Sequence, residues 1–335
     1  TCSPGENRNL RHGPAFTWRA LREGSYTAAL ETYLEDQFPL RDGWMGLKTR
    51  WEWLLGKREF HDVFLCGGAL IGRVGEGDRW EQNLGFVDRL AEKTDIPVYL
   101  GLIPTAAEVW KDRLPHGADS ADQSALLKEA RGTGAVWADI AGALAAHSEE
   151  PVFYRTDHHW TSLGAYYGYT ALLEAMGETP LPLGKAETVS DDFYGTLYSS
   201  SGVHWVAPDT IERYVREDAV TVEDVYGGEK HGLYVDSFLE EKDQYASFLG
   251  GNQPLYIVRN SAASSDKKLL LVRDSYSDSL APFLCRHFAE IHLLDLRYNK
   301  TSVAQYAADM GADGIAVLYS VDNFMKDADA VFLAQ

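Results

Sequence analysis

The segment Lys268-Leu269-Leu270-Leu271-Val272-Arg273-Asp274-Ser275-Tyr276-Ser277 joins an apolar run to a polar turn. The apolar residues at 269–272 do not alternate with polar ones, which predicts a strand buried on both faces. Helical spacing follows at Leu280, Leu284 and Phe288. A buried strand that leads through a short turn into a helix is the repeating unit of a parallel sheet covered by helices on both faces.

The same alternation of strands and amphipathic helices extends on both sides of this segment. Two helices are predicted between residues 26 and 55, separated by Pro39, with Asp42 as the N-cap of the second. The other predicted elements are strands at 62–68, 97–104, 135–140, 291–296 and 315–319, and helices at 80–90, 121–130 and 163–176.

Residues 180–265 differ in composition and pattern from the rest of the chain, with frequent Gly and Ser and short Val/Tyr/Ile segments. We interpret this stretch as a β-rich insertion, with strand-like segments at 197–205, 211–215, 220–225 and 255–258. The sequence therefore predicts a polar N-terminal arm with little structure at 1–25, a three-layer α/β domain at 26–179 and 266–335, and the insertion at 180–265.

The composition limits the classes of partner. The chain has 335 residues, 31 of them basic and 50 acidic, and a formal charge of −19. This charge argues against a nucleic-acid partner, which would need clusters of Lys and Arg, and against an anionic membrane surface. Cys66 and Cys285 fit buried hydrophobic positions. No signal peptide or membrane span is visible, and the missing initiator Met suggests that a leader or anchor was removed.

The first candidate for chemistry is Ser275, at the carboxyl end of the strand at 268–273. Ligands bind at this end of strands in open parallel sheets, and the free N–H groups of a helix start can hold an oxyanion. The alternative is an ordinary helix N-cap, which Ser and Asp both favour. The GxSxG motif of α/β-hydrolases is absent.

The second candidate is Asp157-His158-His159-Trp160, just before a predicted helix. Asp157 and His159 are two positions apart, so an extended backbone directs both side chains to the same side, where the carboxylate can orient the imidazole as a base. Alternatively Asp157 caps the helix, or the histidines bind a metal, although no HExxH motif or Cys completes a ligand set. With Ser275, this pair supplies a nucleophile, a base and an orienting group.

These motifs resemble the DHHW family of bacterial proteins, which takes its name from the residues at 157–160. The resemblance extends over most of the chain from about residue 26, through the blocks 33–42 (YLEDQFPLRD), 193–198 (FYGTLY), 248–252 (FLGGN), 274–276 (DSY) and 295–298 (DLRY). The family is similar to the SGNH-hydrolase-like proteins that O-acetylate alginate in the bacterial periplasm, which have Asp-x-His early and the nucleophilic Ser late. The resemblance implies a three-layer, flavodoxin-like SGNH fold.

The resemblance also implies roles. Ser275 would be the nucleophile, His159 the general base, Asp157 its orienting group, and the Ser275 backbone N–H an oxyanion donor; Arg273 replaces the glycine of the usual Gly-Asp-Ser block. For substrate binding we assign Trp160 and Tyr276, and Arg297 as an anion or carbonyl contact whose alternative is an ion pair with Asp295.

The resulting hypothesis is an extracytoplasmic O-acetyltransferase or acetylesterase that acts on a carbohydrate or small ester, without a metal or cofactor. A membrane O-acyltransferase would be a possible acyl donor. Two other hypotheses remain open: a non-catalytic carbohydrate-binding or scaffolding protein on the same fold, and a metal-dependent hydrolase that uses the histidines.

Overall fold

The computed structural model describes residues 2–3, 8–9, 11–36, 41–217 and 219–335, and side chains within 11–34, 43–217 and 219–335. The predicted break at Pro39 lies outside the described residues. The second N-terminal helix begins at Arg41, so Asp42 lies within this helix and not before it.

The strands of the described residues are β1 Cys2–Ser3, β2 Arg8–Asn9, β3 Glu59–Phe60, β4 Val63–Cys66, β5 Ala69–Gly72, β6 Val98–Ile103, β7 Val136–Trp137, β8 Glu187–Phe193, β9 Asp209–Arg213, β10 Val220–Asp224, β11 Lys230–His231, β12 Leu255–Asn260, β13 Lys268–Arg273, β14 Glu290–Leu294 and β15 Gly314–Ser320. The α-helices of the same residues are α1 Trp18–Arg22, α2 Ser25–Asp36, α3 Arg41–Leu54, α4 Trp80–Lys93, α5 Ala106–Val109, α6 Gln123–Ala130, α7 Ile140–Ala146, α8 Ser162–Ala175, α9 Thr196–Ser201, α10 Ala281–Leu284, α11 Val303–Met310 and α12 Val321–Phe324.

The centre of the fold is an eight-stranded sheet with the order β11-β10-β12-β14-β13-β15-β6-β7. The strands from β14 to β7 are parallel, as predicted, and β13 lies between β14 and β15. Every residue of β15 is buried, and so are five of the six residues of β13, which explains why their sequences read as continuous apolar runs. The helices α4, α7 and α8 contact β6.

At one edge the predicted parallel sheet continues into antiparallel strands. β12 pairs antiparallel with β14, β10 pairs antiparallel with β12, and β11 pairs antiparallel with β10. These three strands come from the segment 180–265, so this segment extends the central sheet in addition to forming the separate β8–β9 ribbon.

Three local predictions also need correction. The segment 62–68 is not a strand of the central sheet: β4 and β5 form a hairpin, because Gly67 and Gly68 both have positive φ and make the two-residue turn that joins antiparallel strands. Part of 197–205 forms the helix α9 and not a strand. The arm at 1–25 contains β1, β2 and α1.

Cys66 and Cys285 are buried and unpaired, as predicted. None of the helices among the described residues is long and apolar enough to cross a membrane.

Candidate active site

The turn that follows β13 presents Ser275. Asp274 caps this turn by accepting a hydrogen bond from the Tyr276 N–H at 3.1 Å. Its other carboxylate oxygen accepts from the N–H and hydroxyl of Ser320 and from Asn323 Nδ2, at 2.9, 2.8 and 2.8 Å. The fully buried Asp274 therefore fixes the turn to the end of the neighbouring strand β15, and the capping role falls to Asp274, which leaves the Ser275 hydroxyl available.

The loop between α7 and α8 carries the Asp157 and His159 side chains. Its two ends are held together by an antiparallel bridge between Phe153 and Trp160. Its middle is anchored by Asp209 at the start of β9, whose carboxylate accepts from the N–H and hydroxyl of Thr156 at 2.8 and 2.6 Å. The loop is thus closed by its own bridge and attached to β9, which limits the positions that its side chains can take.

The three residues singled out in the sequence meet in space. His159 Nε2 lies 2.8 Å from Ser275 Oγ, and His159 Nδ1 lies 2.6 Å from Asp157 Oδ1. Ser275, His159 and Asp157 are 8%, 6% and 3% exposed. These distances are within hydrogen-bonding range, so the imidazole can accept a proton from the hydroxyl while the carboxylate orients it.

Asp157 is held in its ionised form. Burial alone would raise its pKa, but His158 and His159 and the hydrogen bonds from His159 and Thr196 outweigh burial and lower the pKa. Oδ1 accepts from the His159 N–H at 3.0 Å, and Oδ2 accepts from the Thr196 N–H and hydroxyl at 2.7 and 2.9 Å. The carboxylate is therefore saturated with donors on both oxygens.

Tyr245 is a site residue that the sequence did not reveal. Its ring stacks on the His159 imidazole with centroids 3.9 Å apart and planes 10° apart. Its hydroxyl donates to the carbonyl oxygen of Ser275 at 3.0 Å. Tyr245 thus contacts both His159 and the turn that presents Ser275. It lies in a 3-10 segment of the insertion, Gln244–Ser247, where no motif marked it.

A buried ion pair lies behind Ser275. Arg273 Nη1 is 2.8 Å from Asp278 Oδ1, and both side chains are almost completely inaccessible. Burial raises the pKa of Asp278 to about 7, although the Arg273 guanidinium favours the carboxylate. Arg273, which stands where a glycine was expected, therefore packs beneath the turn that presents Ser275.

The structure corrects one of the three predicted substrate contacts and gives a second one an ion-pair partner. Trp160 is completely buried, and its Nε1 donates to Tyr276 O at 2.9 Å and to Ser279 Oγ at 3.0 Å, so it supports the turn and cannot stack on a substrate. Arg297 forms a two-point ion pair with Asp295 at 2.9 and 2.6 Å. This is the ion pair that the sequence offered as the alternative to a substrate contact, and it uses Nε and Nη2 of the guanidinium.

A cavity of about 430 Å³ is lined by Tyr276 and His158, which are sequence neighbours of the three converging residues. Ser275, His159 and Asp157 are not themselves among the residues that line it. The walls near them are His158, Thr196 and Tyr276, the phenol of which donates to the backbone carbonyl of His158. The outer walls include Asp62, Arg73, Leu197, Asp322 and Asn323. As the first residue of its turn, Ser275 has a backbone N–H without a partner inside the helix, which suits an oxyanion donor.

A metal site at the same loop is the competing arrangement. Asp157, His158 and His159 offer three ligand atoms within 4.8 Å of one another. Both ring nitrogens of His159 already have partners, however, and His158 Nδ1 lies 2.7 Å from Thr196 Oγ1. A metal would have to break these hydrogen bonds, so the observed side-chain geometry fits proton transfer better than metal ligation.

Comparison with known proteins places this geometry in a family. Residues 83–294 match the family described as DHHW protein, and the match includes Asp157, His159 and Ser275. The chain belongs to the DHHW family. A crystal structure of a DHHW family protein from Eubacterium siraeum is similar, with a TM-score of 0.70 and 23% identity over 81% of this chain and 93% of that one.

Two other proteins are similar to this DHHW chain. The structure of Bacillus cereus PatB1 with a sulfonyl adduct gives a TM-score of 0.66 with 18% identity, and covers 81% of this chain and 97% of that one. The probable alginate O-acetylase AlgJ of Pseudomonas aeruginosa is 26% identical over 180 residues, which are 47% of this chain. The matched region spans 44% of the length of AlgJ.

Proposed function

We propose that this DHHW protein is an SGNH-like serine acyl-transfer enzyme, an O-acetyltransferase or acetylesterase that acts on a carbohydrate. The observation that carries the proposal is the continuous hydrogen-bond chain from Ser275 Oγ through His159 to Asp157. The relation to a protein named as a probable alginate O-acetylase supports acetyl as the acyl group.

The reaction proceeds in two steps. His159 Nε2 removes the proton of Ser275 Oγ as the oxygen attacks the ester carbonyl, Asp157 stabilises the imidazolium, and the Ser275 N–H meets the oxyanion. The imidazolium returns the proton to the departing alcohol oxygen, which leaves an acyl-enzyme. Water or a sugar hydroxyl then attacks, loses its proton to His159, and releases Ser275 with its hydroxyl restored.

The cavity beside Tyr276 is the proposed acceptor site, and its charges favour a neutral carbohydrate. Asp62 and Asp322 line it, and Arg73 is paired with Asp62 and Asp119 at 3.2 and 2.5 Å. A uronate polymer would meet these carboxylates without a free cation from Arg73, in a chain of charge −19. From the family resemblance we further propose an extracytoplasmic location and a membrane O-acyltransferase as acyl donor.

Covalent labelling tests the proposal directly. An aromatic sulfonyl fluoride should add to Ser275 in a one-to-one ratio, because only an activated serine reacts readily, and turnover of a chromogenic acetate should fall in parallel. Peptide mass spectrometry locates the adduct. Sugar binding without acetate turnover or labelling would support the non-catalytic alternative, and loss of turnover after chelation would support the metal-dependent one.

His158 offers a test of the pH dependence. Partial burial and the adjacent His159 lower the pKa of His158 to about 4, so its imidazole is neutral between pH 5 and 8 and its charge does not change there. We expect His158→Gln to keep acetate turnover within about threefold and to leave the acidic side of the pH–rate profile unchanged. A shifted acidic limb in this variant would assign the titration to His158 and contradict the role given to His159.

A further inference from the structure

The helix α3 turns an apolar stripe away from the body of the protein. Trp44, Leu47, Trp51 and Leu54 are 57%, 58%, 63% and 66% exposed. At the rotation of an α-helix they fall, together with Leu55 just beyond the helix, within an arc of about 100°. In a surface helix of a monomeric protein, the apolar stripe normally faces the core. In α3 the apolar stripe faces solvent instead.

The opposite face of α3 is the one that packs. Thr49 is 5% exposed, and a Cβ atom placed on Gly202 would come within 3.2 Å of its hydroxyl. The ring of Trp53 lies 6.2 Å from that of Trp205, and the Arg50 guanidinium lies 5.2 Å above the same Trp205 ring. These contacts fix the rotation of the helix, so the outward direction of the stripe follows from packing.

Charge is distributed unevenly between this part of the chain and the rest. Residues 1–58 contain nine basic and seven acidic side chains, whereas residues 59–335 contain 22 basic and 43 acidic ones. On the helix, Lys48 and Arg50 border the apolar arc on its two sides. The charge of −19 predicts repulsion from an anionic surface for the whole chain, but the segment around the stripe carries the opposite sign.

We propose that α3 is a peripheral docking surface for a membrane that contains anionic lipid. Helices that lie in a bilayer interface combine Trp and Leu on one face with Lys and Arg beside them, and Trp rings favour the headgroup level. A second copy of the chain fits less well, because it would bring another strongly acidic body to the same place. No residue of α3 is among those that line the cavity beside Tyr276, so the docking surface and the proposed acceptor site use different residues.

Vesicle binding tests the proposal. The protein should sediment with vesicles of phosphatidylglycerol and phosphatidylethanolamine, and its Trp emission should shift to the blue, with much weaker binding to phosphatidylcholine vesicles. The double variant Trp44→Ser/Trp51→Ser should lose at least tenfold in partitioning, and Lys48→Glu should weaken binding to the anionic vesicles. Tyr226→Ser, which removes an exposed aromatic ring far along the chain from α3 (64% exposed), is the matched control and should bind like the parent protein.

Because all four substituted side chains are exposed, unchanged circular dichroism is expected in every variant. Melting temperatures should change little, although Tyr226→Ser removes the hydroxyl that accepts from Asn299, and Lys48→Glu places a second carboxylate beside Glu52. Absence of vesicle binding by the parent protein, equal binding to neutral and anionic vesicles, or unchanged binding of the double variant would overturn the proposal. So would a dimer of the parent protein that the double variant converts to a monomer. None of these outcomes depends on acetate turnover, so the docking surface and the acyl-transfer site are tested separately.

Discussion

Ser275→Ala should reduce the kcat/KM for a chromogenic acetate by about four orders of magnitude. The side chain that would be lost supplies the attacking oxygen, and His159 Nε2 has it as a partner at 2.8 Å. The fold should persist, because the change removes a single hydroxyl and leaves only one acceptor, His159 Nε2, without its partner. Steady-state kinetics check the loss of activity, and thermal unfolding of the same preparation checks that the fold persists.

Ser277 provides a control in the same turn. It is completely buried, and its hydroxyl has no hydrogen-bond partner among the described residues. Ser277→Ala changes the same functional group two residues away without touching His159, and should keep acetate turnover close to that of the parent. Rapid turnover in Ser275→Ala, or an equal loss in Ser277→Ala, would contradict the assignment of the nucleophile.

The sequence predicted the centre of the sheet because burial on both faces produces continuous apolar runs. The strands β6, β13, β14 and β15 lie where such runs were found. The antiparallel edge could not be predicted, because β10 and β12 alternate in burial and their pairing partner lies far along the chain. The hairpin at Gly67 and Gly68 had a local signal, a glycine pair between two apolar segments, that was interpreted as the end of a strand.

The prediction of the site was also limited to what local sequence patterns encode. Asp157 and His159 are neighbours in sequence and Ser275 follows a strand, so local patterns sufficed to select them. Tyr245 and Asp209 act through contacts with residues 30 or more positions away, which no local pattern encodes. Trp160 was interpreted as a stacking residue because a sequence does not show whether an aromatic ring faces solvent or the core.

Asp157→Asn is the second change with a large expected effect, a loss of about four orders of magnitude in acetate turnover. Each carboxylate oxygen accepts from a backbone N–H, Oδ1 from His159 and Oδ2 from Thr196. An amide cannot satisfy both, since its NH2 group must face one of these donors. If the NH2 group takes the Oδ1 position, it also donates to His159 Nδ1, which moves the ring proton to Nε2 and removes the base.

The same variant should lose stability in a pH-dependent way. Because the pKa of Asp157 is lowered in the folded state, its carboxylate stabilises the fold above the ordinary carboxyl pKa, and this contribution is lost as the pH falls through the folded-state pKa. The free energy of unfolding of Asp157→Asn should therefore be below that of the parent at pH 7, and the difference should shrink on acidification below about pH 4.

Asp191→Asn, at an exposed carboxylate, is the control for both measurements, acetate turnover and the free energy of unfolding. An Asp157→Asn protein that keeps parental turnover would show that His159 needs no carboxylate, and a stability difference independent of pH would show that the carboxylate acts by shape and not by charge.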